Sequence, residues 1–127
     1  HFEARRQRQM CIRDRSASNL HDHYGEMSPV HSLNNLAVVI WAFLSFQDSF
    51  DEAIGETICC GWDTDCTGAT VGGLIGLDKG SIPELWTDPW QGRVNTAIAG
   101  VGELKLEDLV ERTCKLVDQF SSESDMD

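Results

Sequence analysis

Cationic side chains are scarce in this 127-residue chain, where ten lysines and arginines face twenty-one aspartates and glutamates for a net charge of -11. Beyond Arg15 only Lys79, Arg93, Lys105, Arg112 and Lys115 remain. So few cations on an acidic surface form no track for a phosphate backbone, and nucleic acid is not expected as a partner. Long apolar runs are missing as well. The longest, Leu36–Leu44, has nine residues, well short of the roughly 20 that a membrane helix requires, so no membrane partner is expected either. The five cysteines (Cys11, Cys59, Cys60, Cys66 and Cys114) contain no CxxC pair and have no histidine at zinc-ligand spacing beside them. No apolar secretory segment precedes them. Free thiols in a reducing cytoplasm are therefore expected.

The N-terminal residues differ in composition from the rest. Residues 1–15 hold five arginines against Glu3 and Asp14, a net of +3, leaving -14 for the remainder. There is no initiator methionine, and Met10-Cys11-Ile12-Arg13-Asp14-Arg15 resembles translated sequencing-adapter read-through. Residues 1–15 are accordingly read as a non-native leader outside the fold, with a basic nucleic-acid arm as the alternative. The domain is expected over 16–120, and residues 121–127 read as a disordered acidic tail.

The domain reads as all-α, because apolar positions recur at helical spacing and no stretch alternates convincingly as a strand. The polar segment Ser16–Ser32 holds His21, His23 and His31. Their spacing fits no familiar zinc pattern, and the segment is read as a surface loop. Leu33–Phe46 is apolar almost all round, as in a helix buried in the middle of a domain. At its start Asn34 and Asn35 serve either to cap the helix or to hold a neighbouring loop, capping being the ordinary role. Ser49-Phe50-Asp51-Glu52 fits a capping box. Phe50, Ala53, Ile54, Thr57 and Ile58 follow on one helical face, and Gly61 is a natural stop. A second capping box is read at Ser81–Glu84, before a short helix ending near Trp86. Asp88-Pro89 reads as a turn, and Arg93–Gly102 is ambiguous between helix and loop. A final apolar stripe of Leu106, Leu109, Val110, Thr113, Cys114, Val117 and Phe120 follows Glu107 and Asp108, acids well placed for a helix N-terminus.

Between these elements, Asp63-Thr64-Asp65 opens a segment running to about Leu77, in which Gly68, Gly72 and Gly76 recur every four residues. Each interior glycine costs a helix about 1 kcal/mol relative to alanine. Three in register imply close approach of another helix or of a ligand to a face without side chains. Asp63 and Asp65 lie at the junction of two helices, where both carboxylates can converge on one cation. Carboxylate oxygens and water are the ligands that Mg²⁺ prefers. A helix cap with a first-turn acid is the ordinary alternative for such a pair.

Gly61-Trp62-Asp63-Thr64-Asp65-Cys66-Thr67-Gly68-Ala69-Thr70-Val71-Gly72-Gly73 is similar to the C-terminal signature of the ADP-ribosylglycohydrolase family, which includes the dinitrogenase-reductase-activating glycohydrolases. The likeness extends upstream through His31, Asn34-Asn35 and Asp51–Ile58. Downstream it continues through Ile82-Pro83, Trp86 and the Leu109–Thr113 helix. It covers roughly residues 24–118, most of the chain.

The resemblance implies an all-α bundle with a binuclear Mg²⁺ centre, sometimes Mn²⁺, that hydrolyses the glycosidic bond of ADP-ribosylated protein or a small ADP-ribosyl conjugate. It makes Asp63 and Asp65 metal ligands. The next position is usually threonine, whereas this chain has Cys66, and a thiol is a poor partner for a hard cation. A cysteine there occurs in a bacterial branch, usually followed by asparagine where this chain has Thr67. The third ligand and the substrate class are thus left open. Gly61 and Trp62, beside the carboxylates, become candidates to line a ribose pocket, with core packing equally open for Trp62.

The family's other metal-binding motif, a Thr/Asp-rich segment near the N-terminus, has no counterpart in this chain. The acidic residue that assists water attack is expected in the same segment, so no catalytic residue is assigned. The chain is expected to be the C-terminal part of a longer enzyme and inactive by itself. A glycosidase of the same fold with another nucleoside or sugar conjugate as substrate, and a non-catalytic crystallin-like member, are the alternatives.

Overall fold

The computed structural model describes residues 15–124. It divides into two compact units, one up to Ile82 and one from Pro83 onward. Residues 1–14, nearly all of the segment read as a leader, lie outside the described residues, as do residues 125–127 at the end of the acidic tail.

In the first unit, helix α1 covers residues 15–24. This replaces the first part of the surface loop expected over Ser16–Ser32, while residues 25–31 do form turns and loop. Ala17, Leu20 and Tyr24 are half-buried at helical spacing, a stripe diluted by the polar residues between them. Three helices then form the core: α2 (Ser32–Phe46), α3 (Phe50–Cys60) and α4 (Thr64–Lys79). They pack against one another pairwise. Val39, Ala42, Phe46, Ala53, Val71 and Ile75 make the central cluster, flanked by Trp41, Phe43, Phe50 and Ile54. Trp41 meets Phe46 edge-on, with ring centroids 5.4 Å apart. Full burial of each large apolar side chain contributes about 1.5–3 kcal/mol, so this cluster is the main stabilising element of the unit.

The boundaries follow from capping. Ser49 begins α3, its side chain accepting the Glu52 N–H at 3.3 Å. At the start of α2 the second of the two roles open to the asparagines is the one found. Its N-cap is His31, whose Nδ1 accepts the Leu33 N–H at 3.2 Å, while Asn34 and Asn35 hold the preceding loop. Asn34 donates to the Ser28 carbonyl at 3.2 Å, and Asn35 to those of Pro29 and His31 at 2.8 and 2.9 Å. The expectation of a helix buried all round is not met. Val38 and Ala42 are fully enclosed, but Leu33, Leu36, Ile40 and Leu44 on the opposite face are half exposed or more.

The glycine stripe of α4 faces neighbouring side chains. A Cβ on Gly68 would lie 3.0 Å from Ile58 Cδ1, one on Gly72 3.2 Å from Ile54 Cδ1, and one on Gly76 3.2 Å from Ile82 Cγ1. Gly68 and Gly72 thus let α3 approach α4 closely, and Gly76 makes room for Ile82, which offsets their helix-propensity cost.

In the second unit, α5 (Glu84–Thr87) leads into a 3-10 turn at Asp88–Trp90. The capping box expected at Ser81 is absent, because Pro83 holds the N-cap position and no side chain caps the helix. Strands β1 (Arg93–Asn95) and β2 (Glu103–Lys105) form an antiparallel hairpin with Val94 opposite Leu104. This resolves the ambiguous Arg93–Gly102 segment in favour of neither helix nor plain loop. The hairpin is closed by Thr96, whose N–H and hydroxyl both donate to the Gly102 carbonyl. Arg93 pairs with Glu103 at 2.6 Å. Helix α6 (Leu106–Ser124) follows directly, extending into the segment read as a disordered tail. With only this small sheet among the described residues, the fold class is all-α. No helix among the described residues is long and apolar enough to cross a membrane.

Candidate metal centre

The turn joining α3 to α4 carries the candidate ligands. Gly61 ends α3, donating its N–H to the Ile58 carbonyl at 3.1 Å. Its backbone, at φ 84° and ψ -153°, occupies a region open in practice only to glycine. Trp62 follows at φ 60°. Such a conformation costs a residue with a side chain roughly 1–2 kcal/mol, so its surroundings must hold it. Asp63 occupies the N-cap position of α4, yet its side chain makes no cap hydrogen bond. The ordinary helix-cap role for this carboxylate is therefore not the one the structure shows.

One ligand atom from each of Asp63, Asp65 and Cys66 lies within 4.8 Å of the others, with Asp63 half-buried and the other two exposed. Among the described residues this is the one group of three or more potential metal-binding side chains so arranged. The Asp65 carboxyl is held below the ordinary carboxylate range, first by a hydrogen bond with the Asp63 carboxyl and then by the backbone N–H groups of Asp65 and Cys66. Two carboxylates this close repel each other, and a divalent cation between them would relieve that repulsion. The Cys66 thiol is pushed up by its hydrogen bond to Asp63 and then by the charges of Asp63 and Asp65, so it persists as a neutral thiol. The two carboxylates fit a hard divalent cation, and the protonated sulfur does not.

Two elements brace the turn from upstream. Asn35 Oδ1 accepts the Asp63 N–H at 3.2 Å. His21 on α1 approaches the Cys60 carbonyl oxygen with Nε2 at 2.6 Å. A carbonyl can only accept, so Nε2 carries a proton. The same imidazole stacks on Trp62, with ring centroids 4.2 Å apart and planes 29° from parallel. His21 was missed in the sequence, where α1 read as a loop; the spacing of Ala17, Leu20 and Tyr24 was the available signal. Gly61 and Trp62 adjoin the carboxylates as expected, and the Trp62 ring packs against His21.

Searches of curated proteins and of solved structures found no match to this chain. The ADP-ribosylglycohydrolase family matches it over residues 3–124, a span that includes most of the segment read as a leader and extends past residues 24–118 at both ends. With nearly its whole length matched, the chain belongs to the ADP-ribosylglycohydrolase family.

Proposed function

We propose that this chain contributes to Mg²⁺-dependent hydrolysis of the glycosidic bond in an ADP-ribosylated protein or small ADP-ribosyl conjugate, with Asp63 and Asp65 as cation ligands. Mn²⁺ is the alternative ion. Family membership supports a glycohydrolase at the coarse level. The observation that carries the metal reading is the convergence of the Asp63 and Asp65 ligand atoms at a turn where Asp63 does not cap its own helix.

The chemistry that a bound divalent cation supplies is electrostatic, placing positive charge beside the ribose hydroxyls and the anomeric carbon. The chain's own residues bind and orient. Asp63 and Asp65 provide the negative charge, Asn35 fixes the backbone of Asp63, and Gly61 and Trp62 shape the wall beside them. Cys66 adds a neutral thiol and no charge.

Two carboxylates do not fill an octahedral Mg²⁺ shell, and the described residues offer no second cluster of this kind. We therefore propose weak, largely hydrated binding and no turnover by this chain alone. Its exposed free cysteines, Cys59, Cys66 and Cys114, suit a reducing compartment such as the cytoplasm. The test is a calorimetric Mg²⁺ titration of the chain, beside turnover of ADP-ribosylated arginine and serine peptides. Weak binding that disappears in Asp63→Asn and Asp65→Asn supports the reading. Binding unchanged in both variants refutes it.

A further inference from the structure

We propose that His21 is a positioning residue that sets the Gly61–Asp63 turn for cation binding, a role that rests on the metal reading of Asp63 and Asp65. His21 belongs to α1, outside the α3–α4 junction that carries the ligands, and it grips that junction at two points. Its Nε2–H donates to the carbonyl of Cys60, the last residue of α3, at 2.6 Å. Its ring covers the indole of Trp62 at a centroid distance of 4.2 Å. Between these points lies Gly61, a residue with wide backbone freedom, and Trp62 itself is left-handed. An unbraced turn of this composition would sample extended conformations, carrying Asp63 with it. The two contacts restrict the turn on either side of Gly61, and the Asn35 bond to Asp63 N–H fixes the next residue. His21 thus acts on the metal ligands through the backbone, as outer-shell partners do in metal sites.

The chemistry of the side chain suits this role. Imidazole supplies a ring for the stack and a directional donor on one rigid frame. Alanine at this position supplies neither, phenylalanine only the ring, and glutamine only the donor. A merely structural contribution of α1 would change stability and leave cation affinity alone, and the two are measurable separately.

The experiment uses the full 127-residue chain in wild-type, His21→Ala, His21→Phe and His21→Gln forms. Backbone amide and indole resonances are followed during Mg²⁺ titration, the Trp62 indole being identified by its loss in Trp62→Phe. In the wild type, Mg²⁺ should shift the Asp63 and Asp65 amides. His21→Ala should move the Trp62 indole resonance and weaken Mg²⁺ on the order of tenfold. His21→Phe should restore the Trp62 resonance and part of the affinity, and His21→Gln part of the affinity without the resonance. Should His21→Ala fail to fold, the phenylalanine and glutamine variants decide, since each removes one contact. Wild-type affinity in every folded His21 variant overturns the proposal while leaving the metal reading intact. Absence of Mg²⁺-dependent shifts in the wild type overturns both.

Discussion

Asn35, twenty-eight residues upstream, accepts the backbone N–H of Asp63 through its side-chain oxygen at 3.2 Å. The same side chain donates to the carbonyls of Pro29 and His31, so one amide ties the loop before α2 to the start of α4. Asn35→Ala removes all of these bonds and leaves the partly buried Asp63 N–H without this acceptor, the bonds to Pro29 and His31 being exposed. The expected loss is about 1–3 kcal/mol, measured as a lower denaturant midpoint at unchanged slope. A loss near zero would mean that water replaces the amide without cost.

Replacing either carboxylate of the Asp63–Asp65 pair tests the proposed cation site apart from stability. Asp63→Asn and Asp65→Asn should abolish Mg²⁺ binding in calorimetry without lowering the melting temperature, since each keeps the side-chain shape and removes one of two adjacent like charges. Cys66→Thr exchanges a protonated sulfur for the harder oxygen of a hydroxyl. It should preserve or raise Mg²⁺ affinity; a lower affinity would show that the thiol is itself a ligand.

Neighbouring glycines of α4 should respond oppositely. A Cβ on Gly72 would lie 3.2 Å from Ile54 Cδ1, whereas one on Gly73 meets nothing within 4 Å. Gly72→Leu should destabilise by about 1–3 kcal/mol through overpacking. Gly73→Ala should stabilise by up to about 1 kcal/mol through helix propensity. Thermal denaturation of the two variants reads the difference directly, and equal effects would show that the stripe is not a packing surface.

Gly61→Ala tests the turn. At φ 84° and ψ -153° a Cβ is strained although nothing lies within 4 Å of it. A loss of about 1–3 kcal/mol is expected, with weakened Mg²⁺ binding, both obtained from denaturation and calorimetry on the same variant.

Adjacent cysteines at the end of α3 should differ in reactivity. Cys59 is exposed, whereas Cys60 is only 6% exposed. Burial pushes the Cys60 thiol above its ordinary value of 9.0, and the nearby charge of Glu56 pushes it further. Iodoacetamide should therefore modify Cys59 well before Cys60, as read by peptide mass spectrometry. For stability the sign follows from linkage. The unfolded thiol ionises near pH 9.0 while the folded one keeps its proton, so stability is intact below that pH and declines as pH rises through the folded value. Cys60→Ala should flatten this alkaline decline in a series of denaturation curves.

Local signals decided much of this protein before any packing was considered. Ser49 with Glu52, the Phe50–Ile58 stripe and Gly61 mark α3 because a cap, a periodic face and a stop are all short-range features. Asp63, Asp65 and Cys66 were legible for the same reason, since a helix junction brings near neighbours in the chain together in space. The glycines spaced by four implied a close neighbour but not its identity, which Ile54, Ile58 and Ile82 provide only once the chain is folded. Tertiary structure also decided what the side chains at the helix starts do. Asn35 had a capping option at its own helix, but Asp63 and the preceding loop supplied bonding partners for its amide, leaving the cap to His31. His21 is the extreme case: its polar neighbours concealed a helix, and its two partners lie beyond α2, at the last residue of α3 and just after it. Hydrogen bonds and ring stacking act over a few ångströms of space, so a contact between α1 and the α3–α4 turn leaves no periodic trace along the chain.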